Sequence, residues 1–299
     1  MEGNHEKGRE VNFLMELLYQ VPEIWYKGLY HDEKPCCSAA RSFSVQHKEK
    51  PAECWLLIHG YRGYPGELVR PAVDLYNAGF DVFVPRLPGH GTCGADFIKS
   101  HDRDWIGLAE NALADLKTRY ETIHLLGHSM GTAIVALIGC NDPGVGKIIY
   151  ASPSFENKQM PIYARALLHI LSAFTPKVQC KWHMSTKYHQ HYENAPCDEE
   201  YLGDEYWKWY FTKQLIEYYK LMKRALGFIE KHPHEHLVIN PLKDTIISGP
   251  SAELLKKVTN GQVKIVNIPD GTHSIFYDKL INAEETAVKA VVEFAVDNQ

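Results

Sequence analysis

This chain predicts an α/β fold: a mostly parallel sheet flanked by helices, with a helical cap inserted between two core strands. Three observations carry that prediction. Apolar strand-like runs alternate with helix-period segments from Cys54 onward. The pentapeptide Gly127-His128-Ser129-Met130-Gly131 stands between an apolar run and an apolar helical stretch. The alternation stops at Ser152-Pro153 and returns only at Leu237.

Taken in order, residues 1–40 are mixed in character and read as an amino-terminal arm, with a short helix expected over 11–19. Residues 42–45 are a candidate first strand. Residues 55–58 form a strand, 66–77 a helix ended by Gly79, and 80–84 a second strand stopped by Pro85. Asp104 is expected to cap a helix whose apolar residues Trp105, Leu108, Ala109, Ala112, Leu113 and Leu116 recur at helical spacing. Strands at 123–126 and 147–151 bracket a helix over 132–138. After the insert come a strand at 237–240, a helix at 251–258, a strand at 263–268 and a final helix at 283–296. The core is therefore 41–151 with 237–299, and 152–236 is the insert. Parallel strands joined through helices gather reactive groups at their carboxyl ends.

Bulk properties narrow the function. A chain of 299 residues can bury one large core, or a core carrying an inserted subdomain. With 45% apolar and 23% charged residues, its composition is that of a globular protein. A net charge of −5 without a long basic block argues against nucleic acid or an anionic membrane surface as main partner. The apolar stretch 13–21 is broken by Glu16 and Gln20, is too short to span a bilayer, and lacks signal-peptide flanks. No stable membrane insertion is expected. Seven cysteines without metal-ligand spacing read as reduced thiols in a cytoplasmic protein.

The chemistry centres on Ser129. A serine on a sharp strand-to-helix turn projects its Oγ above the sheet edge, and flanking glycines avoid collisions with the neighbouring strand and helix. A serine hydroxyl is a poor nucleophile at neutral pH and needs a base within hydrogen-bond reach. Of sixteen histidines, His273 lies directly beyond the last core strand, at the same sheet edge as Ser129. A carboxylate must hold the tautomer of that base, and Asp244 follows the strand at 237–240. Asp270 is the rival acid, but three residues from His273 it suits shaping the loop. The order Ser129, Asp244, His273 is the one expected with this motif. Two backbone N–H groups should hold the developing oxyanion: Met130, after the nucleophile, and Tyr61, in the loop after the strand at 55–58. His59 is expected to brace that loop.

The runs Leu56-Leu57-Ile58-His59-Gly60-Tyr61-Arg62-Gly63, Pro88-Gly89-His90-Gly91, Gly127-His128-Ser129-Met130-Gly131, Pro241-Leu242-Lys243-Asp244 and Gly271-Thr272-His273 resemble the α/β-hydrolase superfamily. The resemblance is to its carboxylesterase and monoacylglycerol lipase-like branch, grouped with serine aminopeptidases. It spans about residues 53–296 except the insert. It implies an eight-stranded, mostly parallel sheet, a helical cap, no cofactor and a small-molecule acyl ester substrate. Within the insert, Tyr206, Trp207, Trp209, Tyr210, Phe211, Tyr218, Tyr219 and Phe228 crowd one predicted helix, and Met160, Tyr163 and Leu167 begin another. Tyr163, Leu167, Trp207 and Tyr210 are candidate substrate contacts in the roof of an acyl pocket. The alternative is that such aromatics only dock the insert on the core.

Two other clusters point elsewhere. His232, His234 and His236 share a side only in an extended segment and have no matching fourth ligand, so a linker fits better than a metal site. Asp198, Glu199, Glu200, Asp204 and Glu205 could hold a substrate's free amine, or form a wet surface. The leading function is therefore ester hydrolysis through an acyl-enzyme. An aminopeptidase or amidase with the same three side chains is the first alternative, and a non-catalytic ligand-binding protein of the same fold is the second.

Overall fold

A computed structural model describes residues 33–156, 162–181, 199–229, 235–247, 250–259, 263–277 and 283–297. Its main sheet contains β1 (Phe43–Val45), β2 (Glu53–Ile58), β3 (Asp81–Val84), β4 (Thr122–His128), β5 (Val145–Ala151), β8 (His236–Pro241) and β9 (Val263–Ile268). A separate antiparallel pair, β6 (Lys177–Gln179) and β7 (Trp209–Phe211), lies between β5 and β8 in the chain. The helices are α1 (Val69–Asn77), α2 (Gly94–Lys99), α3 (Asp102–Lys117), α4 (Met130–Gly139), α5 (Ile162–Leu171), α6 (Thr212–Ile229), α7 (Ser251–Val258) and α8 (Ala283–Val296). A short helical turn, Glu199–Leu202, runs into the π-helical turn Gly203–Trp207.

The main sheet has the order β1-β3-β2-β4-β5-β8-β9, and every neighbouring pair except β1 with β3 is parallel. Strand order reverses around β2: β3 is laid on one side of it and β4 on the other. Such a reversal opens a crevice at the carboxyl ends. Register sets which residues meet there. Ile58 pairs with Gly127, His128 with Ala151, Ala151 with Ile239, and Pro241 with Ile268. The loops after β2, β4, β5, β8 and β9 therefore emerge along one rim. The central strands are covered on both faces, and Trp55, Leu56, Leu57, Ile58, Leu125, Leu126, Ile148 and Ile149 are fully buried.

Several expectations change in detail. Among the described residues the main sheet has seven strands, one fewer than the eight implied by the resemblance. Ahead of β1 the chain makes a 3₁₀ turn at Ser38–Ala40, and Cys36 N–H donates to Gly91 O at 2.9 Å. The helix expected at 66–77 starts as a 3₁₀ turn, Pro65–Leu68, and becomes α-helical only from Val69. Pro71 is tolerated there because the first turn needs no N–H donor at that position. It ends before Gly79, whose φ of +100° suits glycine. Asp104 is not the cap of α3. His101 takes that place in extended backbone, and the Asp104 carboxylate reaches back to accept its N–H at 2.8 Å. Trp209, Tyr210 and Phe211 sit on β7 rather than on a helix, because these aromatic residues suit a strand and pair with Lys177–Gln179. Cys37 is disulfide-bonded, whereas Cys54, Cys93, Cys140 and Cys180 are free thiols. Pairing is decided in space, not by spacing along the chain. The disulfide at Cys37 departs from the expectation of wholly reduced thiols.

No helix among the described residues is long and apolar enough to cross a membrane. The helix expected over 11–19 lies outside the described residues, as do His232 and His234.

Candidate active site

The turn at Ser129 is built by close packing. Ser129 has φ +53° and ψ −119°, a conformation costly for a side-chain-bearing residue and persistent only where its surroundings over-determine it. Those surroundings are specific. A Cβ on Gly127 would lie 2.4 Å from the Gly131 carbonyl carbon, and one on Gly131 would lie 2.0 Å from Ile58 O. The β4–α4 turn can therefore press against β2 only with glycine at both places. Ser129 N–H donates to Ala151 O at 3.0 Å, tying the turn to β5. Its side chain is almost fully buried, and its first helical turn is closed by Thr132 Oγ1 donating to Ser129 O at 2.5 Å.

Three side chains far apart in sequence meet at this rim. His273 Nε2 lies 2.9 Å from Ser129 Oγ, and His273 Nδ1 lies 2.7 Å from Asp244 Oδ2. The other carboxylate oxygen of Asp244 accepts the N–H groups of Ile246 at 2.8 Å and Ile247 at 2.9 Å, which fixes its orientation. Burial pushes the Asp244 carboxyl up, but His273 and these two N–H donors outweigh it and hold the group below its ordinary value. Lys243 N–H donates to Gly271 O at 2.9 Å, so the Asp244 and His273 loops are joined by backbone. Asp270, the rival acid, pairs instead with Lys243 Nζ at 2.6 Å on the surface.

Met130 directly follows Ser129, and Tyr61 directly follows Gly60. The backbone of Gly60 approaches Ser129 so closely that an added Cβ would lie 3.1 Å from Ser129 Cβ. Arg62 holds a φ of +59°, and its Nη1 donates to Tyr206 O at 3.2 Å and Trp209 O at 2.7 Å. His59 braces the same loop. Its Nε2 accepts Leu87 N–H at 3.0 Å, so Nδ1 carries the proton and donates to Gly60 O at 3.0 Å. Burial, with His90 nearby, pushes His59 down to about 3, and burial does the same to His90. Both rings are neutral and structural.

Sequence reasoning did not single out the buried pair behind Ser129. His128 Nδ1 lies 3.3 Å from Glu67 Oε2, and His128 Nε2 donates to His273 O at 2.9 Å. Burial alone would lower the His128 pKa, yet Glu67 and the His273 carbonyl raise it above the ordinary imidazole value. The pair sets an imidazole against a carboxylate and links the Gly60 loop, the Ser129 turn and the His273 loop. Ser152 Oγ also donates to His273 O at 2.9 Å. The available signal was a glutamate one turn into a segment that begins beside glycines; only packing revealed its partner.

The four candidate substrate contacts are more scattered. Tyr163 is 75% exposed, Leu167 54% and Tyr210 46%, whereas Trp207 is half-buried. The insert aromatic that does reach Ser129 is Tyr218. It is buried, its hydroxyl bonds to Ser154 Oγ and interacts with the Ser129 side chain, and its ring stacks on Tyr61 at 5.1 Å. A cleft of about 250 Å³ touches the site at Asp244, with Ser152, Pro153, Asn240, Leu242 and Ser251 among its walls. Ser129 is not on its wall, so it is not assigned as an acyl pocket. Among the described residues, no group of three or more histidine, cysteine or acidic side chains is arranged to hold a metal ion. His236 is buried and stacks on Tyr150.

The profile of the family described as serine aminopeptidase, S33, matches residues 49–280. The chain belongs to this family. A thermostable monoacylglycerol lipase of Bacillus sp. (strain H-257) is 33% identical over 119 residues, covering 40% of this chain and 46% of that protein. The match thus spans less than half the length of this relative. Among solved structures, one of the metagenome-derived lipolytic enzymes LipS and LipT superposes with a TM-score of 0.70 at 18% identity, covering 87% of this chain and 98% of the other. The monoacylglycerol lipase of Paleococcus ferrophilus gives 0.63 at 18% identity over 87% and 100% of the two chains. A soluble variant of monoglyceride lipase from Saccharomyces cerevisiae gives 0.67 at 15% identity over 86% and 91%. At these identities the structural likeness establishes the fold, that of an α/β-hydrolase.

Proposed function

We propose that this protein is a serine hydrolase that cleaves carboxylic esters through an acyl-enzyme. The observation that carries the reading is the hydrogen-bonded line Ser129 Oγ, His273 Nε2, His273 Nδ1 and Asp244 Oδ2, with steps of 2.9 and 2.7 Å. Ser129 Oγ attacks the ester carbonyl as His273 Nε2 takes its proton. Asp244 fixes the Nδ1–H tautomer and stabilises the imidazolium. The Tyr61 and Met130 N–H groups hold the oxyanion, each worth on the order of 3 kcal/mol in the transition state. As the tetrahedral adduct collapses, His273 returns the proton to the leaving alcohol. Water then repeats the attack on the acyl-enzyme, and Ser129 is regenerated. No cofactor enters these steps.

In this reading the segment between β5 and β8 is a cap over Ser129, and the acyl chain is apolar and of short to medium length, as in a monoacylglycerol. Support comes from the relatives named above, which are lipases or lipolytic enzymes, and from the aromatic residues of that segment. The aminopeptidase alternative is favoured by the family description, but it needs a carboxylate free to hold the substrate amine. Glu205 accepts Gly94 N–H at 2.7 Å, and Asp204 pairs with Lys208. Glu205 and Asp204, two of the five acids of the cluster, are thus engaged elsewhere, which weighs against either holding that amine.

Covalent labelling with a fluorophosphonate, lost in Ser129→Ala, tests the nucleophile. Ser129→Ala and His273→Ala should each lower ester turnover by on the order of a millionfold, and combining them should add little. Full turnover in Ser129→Ala would overturn the reading. A panel of p-nitrophenyl esters graded by chain length, run beside aminoacyl amides, decides between ester and amide.

A further inference from the structure

Resting on the ester-hydrolase reading above, we propose that the Tyr218 hydroxyl is a third oxyanion donor, delivered from the insert to the carbonyl oxygen of the bound ester. Tyr218 belongs to α6, a helix of the insert, yet it is buried and its phenol reaches the floor of the site. There it bonds to Ser154 Oγ, and its side chain interacts with that of Ser129.

Ser154 is itself fixed. It is fully buried, and its N–H donates to Thr132 Oγ1 at 3.1 Å, while Thr132 Oγ1 donates to Ser129 O at 2.5 Å. The ring of contacts Ser129, Thr132, Ser154 and Tyr218 closes around the amino-terminal turn of α4. That turn is also where the Met130 N–H lies. On its other side the Tyr218 ring stacks on Tyr61, the two planes 10° apart, and Tyr61 carries the second proposed backbone donor. The phenol thus stacks on the residue that carries one backbone donor and bonds beside the turn that carries the other. In the proposed arrangement Ser154 Oγ–H donates to the phenol oxygen, which leaves the phenol proton for the carbonyl oxygen. Burial pushes the Tyr218 pKa up, against the lowering effect of Ser154 and Ser129, so the group stays protonated and acts as a donor.

The electron count is that of ordinary acyl transfer. The bond from Ser129 Oγ to the carbonyl carbon forms, the carbonyl π pair moves onto oxygen, and the Ser129 proton passes to His273. Tyr218 donates a hydrogen bond to that oxygen and keeps its proton. When the bond to the leaving oxygen breaks, His273 protonates the alcohol and the Tyr218 bond relaxes.

Tyr218→Phe retains the ring stack and removes only the hydroxyl. Its kcat should fall by about 100-fold with KM within about twofold, the usual effect of deleting one oxyanion donor. The loss should be the same for p-nitrophenyl, methyl and glyceryl esters of one acid, since they share the carbonyl oxygen. A trifluoromethyl ketone that forms a tetrahedral adduct should bind weaker by a similar factor, while the corresponding non-reactive ether analogue should bind unchanged. Ser154→Ala, which keeps the phenol but loses its support, should show the same pattern at about tenfold or less. It also serves as the test should Tyr218→Phe fail to fold. A Tyr218→Phe kcat within threefold of wild type, a loss confined to KM, or a loss that varies with the alcohol would overturn the inference, as would an unchanged kcat in Ser154→Ala where only that variant folds. Turnover abolished in Ser129→Ala but intact in Tyr218→Phe would sink this inference alone; turnover surviving in Ser129→Ala would sink the hydrolase reading itself.

Discussion

The floor around Ser129 and the insert that follows β5 are built under different constraints. On the floor, backbone meets backbone. Gly127 and Gly131 have no room for a side chain, Gly60 has little, and His59 and Glu67 are buried with defined partners. In the insert the constraint is divided between two halves. The stretch from Gly203 to Glu217 is bonded to the core: Tyr206 OH donates to Gly89 O, Glu205 accepts Gly94 N–H, Gln214 Nε2 donates to Ile98 O and Ser100 O, and Glu217 Oε1 bonds His101 Nδ1 at 2.8 Å. Helix α5 and the residues after it instead present Tyr163, Leu167, Ile170 and Phe174 to solvent, with Phe174 84% exposed. The same residue types serve as anchors in one half and as exposed surface in the other. Aromatic content alone therefore does not identify a pocket wall.

This contrast can be broken or sharpened experimentally. The largest effect expected is on acid stability of the floor. His59 and His90 have folded pKa values of about 3, well below the ordinary 6.5, so the unfolded chain binds protons that the folded chain refuses. Their contribution is complete above about pH 6.5 and is lost as pH falls from there toward 3. Between pH 7 and pH 5 each should cost about 2 kcal/mol of folding stability, read as a drop in urea midpoint. A midpoint that does not move over that range would contradict the burial of neutral rings. Next, Gly131→Ala should destabilise by about 3 kcal/mol, since its methyl would meet the Ile58 carbonyl, which cannot easily move. A soluble variant with unchanged melting would mean the β4–α4 turn is looser than its glycines indicate.

Smaller effects separate the two halves of the insert. Tyr206→Phe removes a hydroxyl that donates to Gly89 O and accepts Thr92 N–H, both at 2.9 Å, and should cost about 1–3 kcal/mol by stranding those groups. Phe174→Ser should change stability by less than about 0.5 kcal/mol, because nothing buried is lost. Equal costs in calorimetry would erase the distinction between anchored and exposed halves.

The legible parts of the fold were those governed by local periodicity. The β2, β4, β5 and β9 strands, the elbow with its two glycines and the final helix are written in short-range patterns. The less legible parts had long-range causes. Asp104 was read as a cap because acidic residues favour helix starts, but the reach of its carboxylate back to His101 puts the cap three residues earlier. The β7 strand was hidden because its partner, Lys177–Gln179, lies thirty residues upstream. Cys37 was read with the other cysteines as reduced, since spacing does not reveal which thiols meet.

By itself, the sequence determined which groups stand just past strand ends: Tyr61, Ser129, Asp244 and His273 each follow an apolar run, and a parallel sheet sends every such run toward one edge. Only the tertiary structure decided how those groups are spaced and what lies between them. Register across β2, β4, β5, β8 and β9 brings the imidazole to 2.9 Å from Ser129 Oγ, and the folding back of α6 places Tyr218 beside it. Strand periodicity is a property of neighbours in the chain, whereas a hydrogen bond of this length depends on backbone positions set by contacts more than a hundred residues apart.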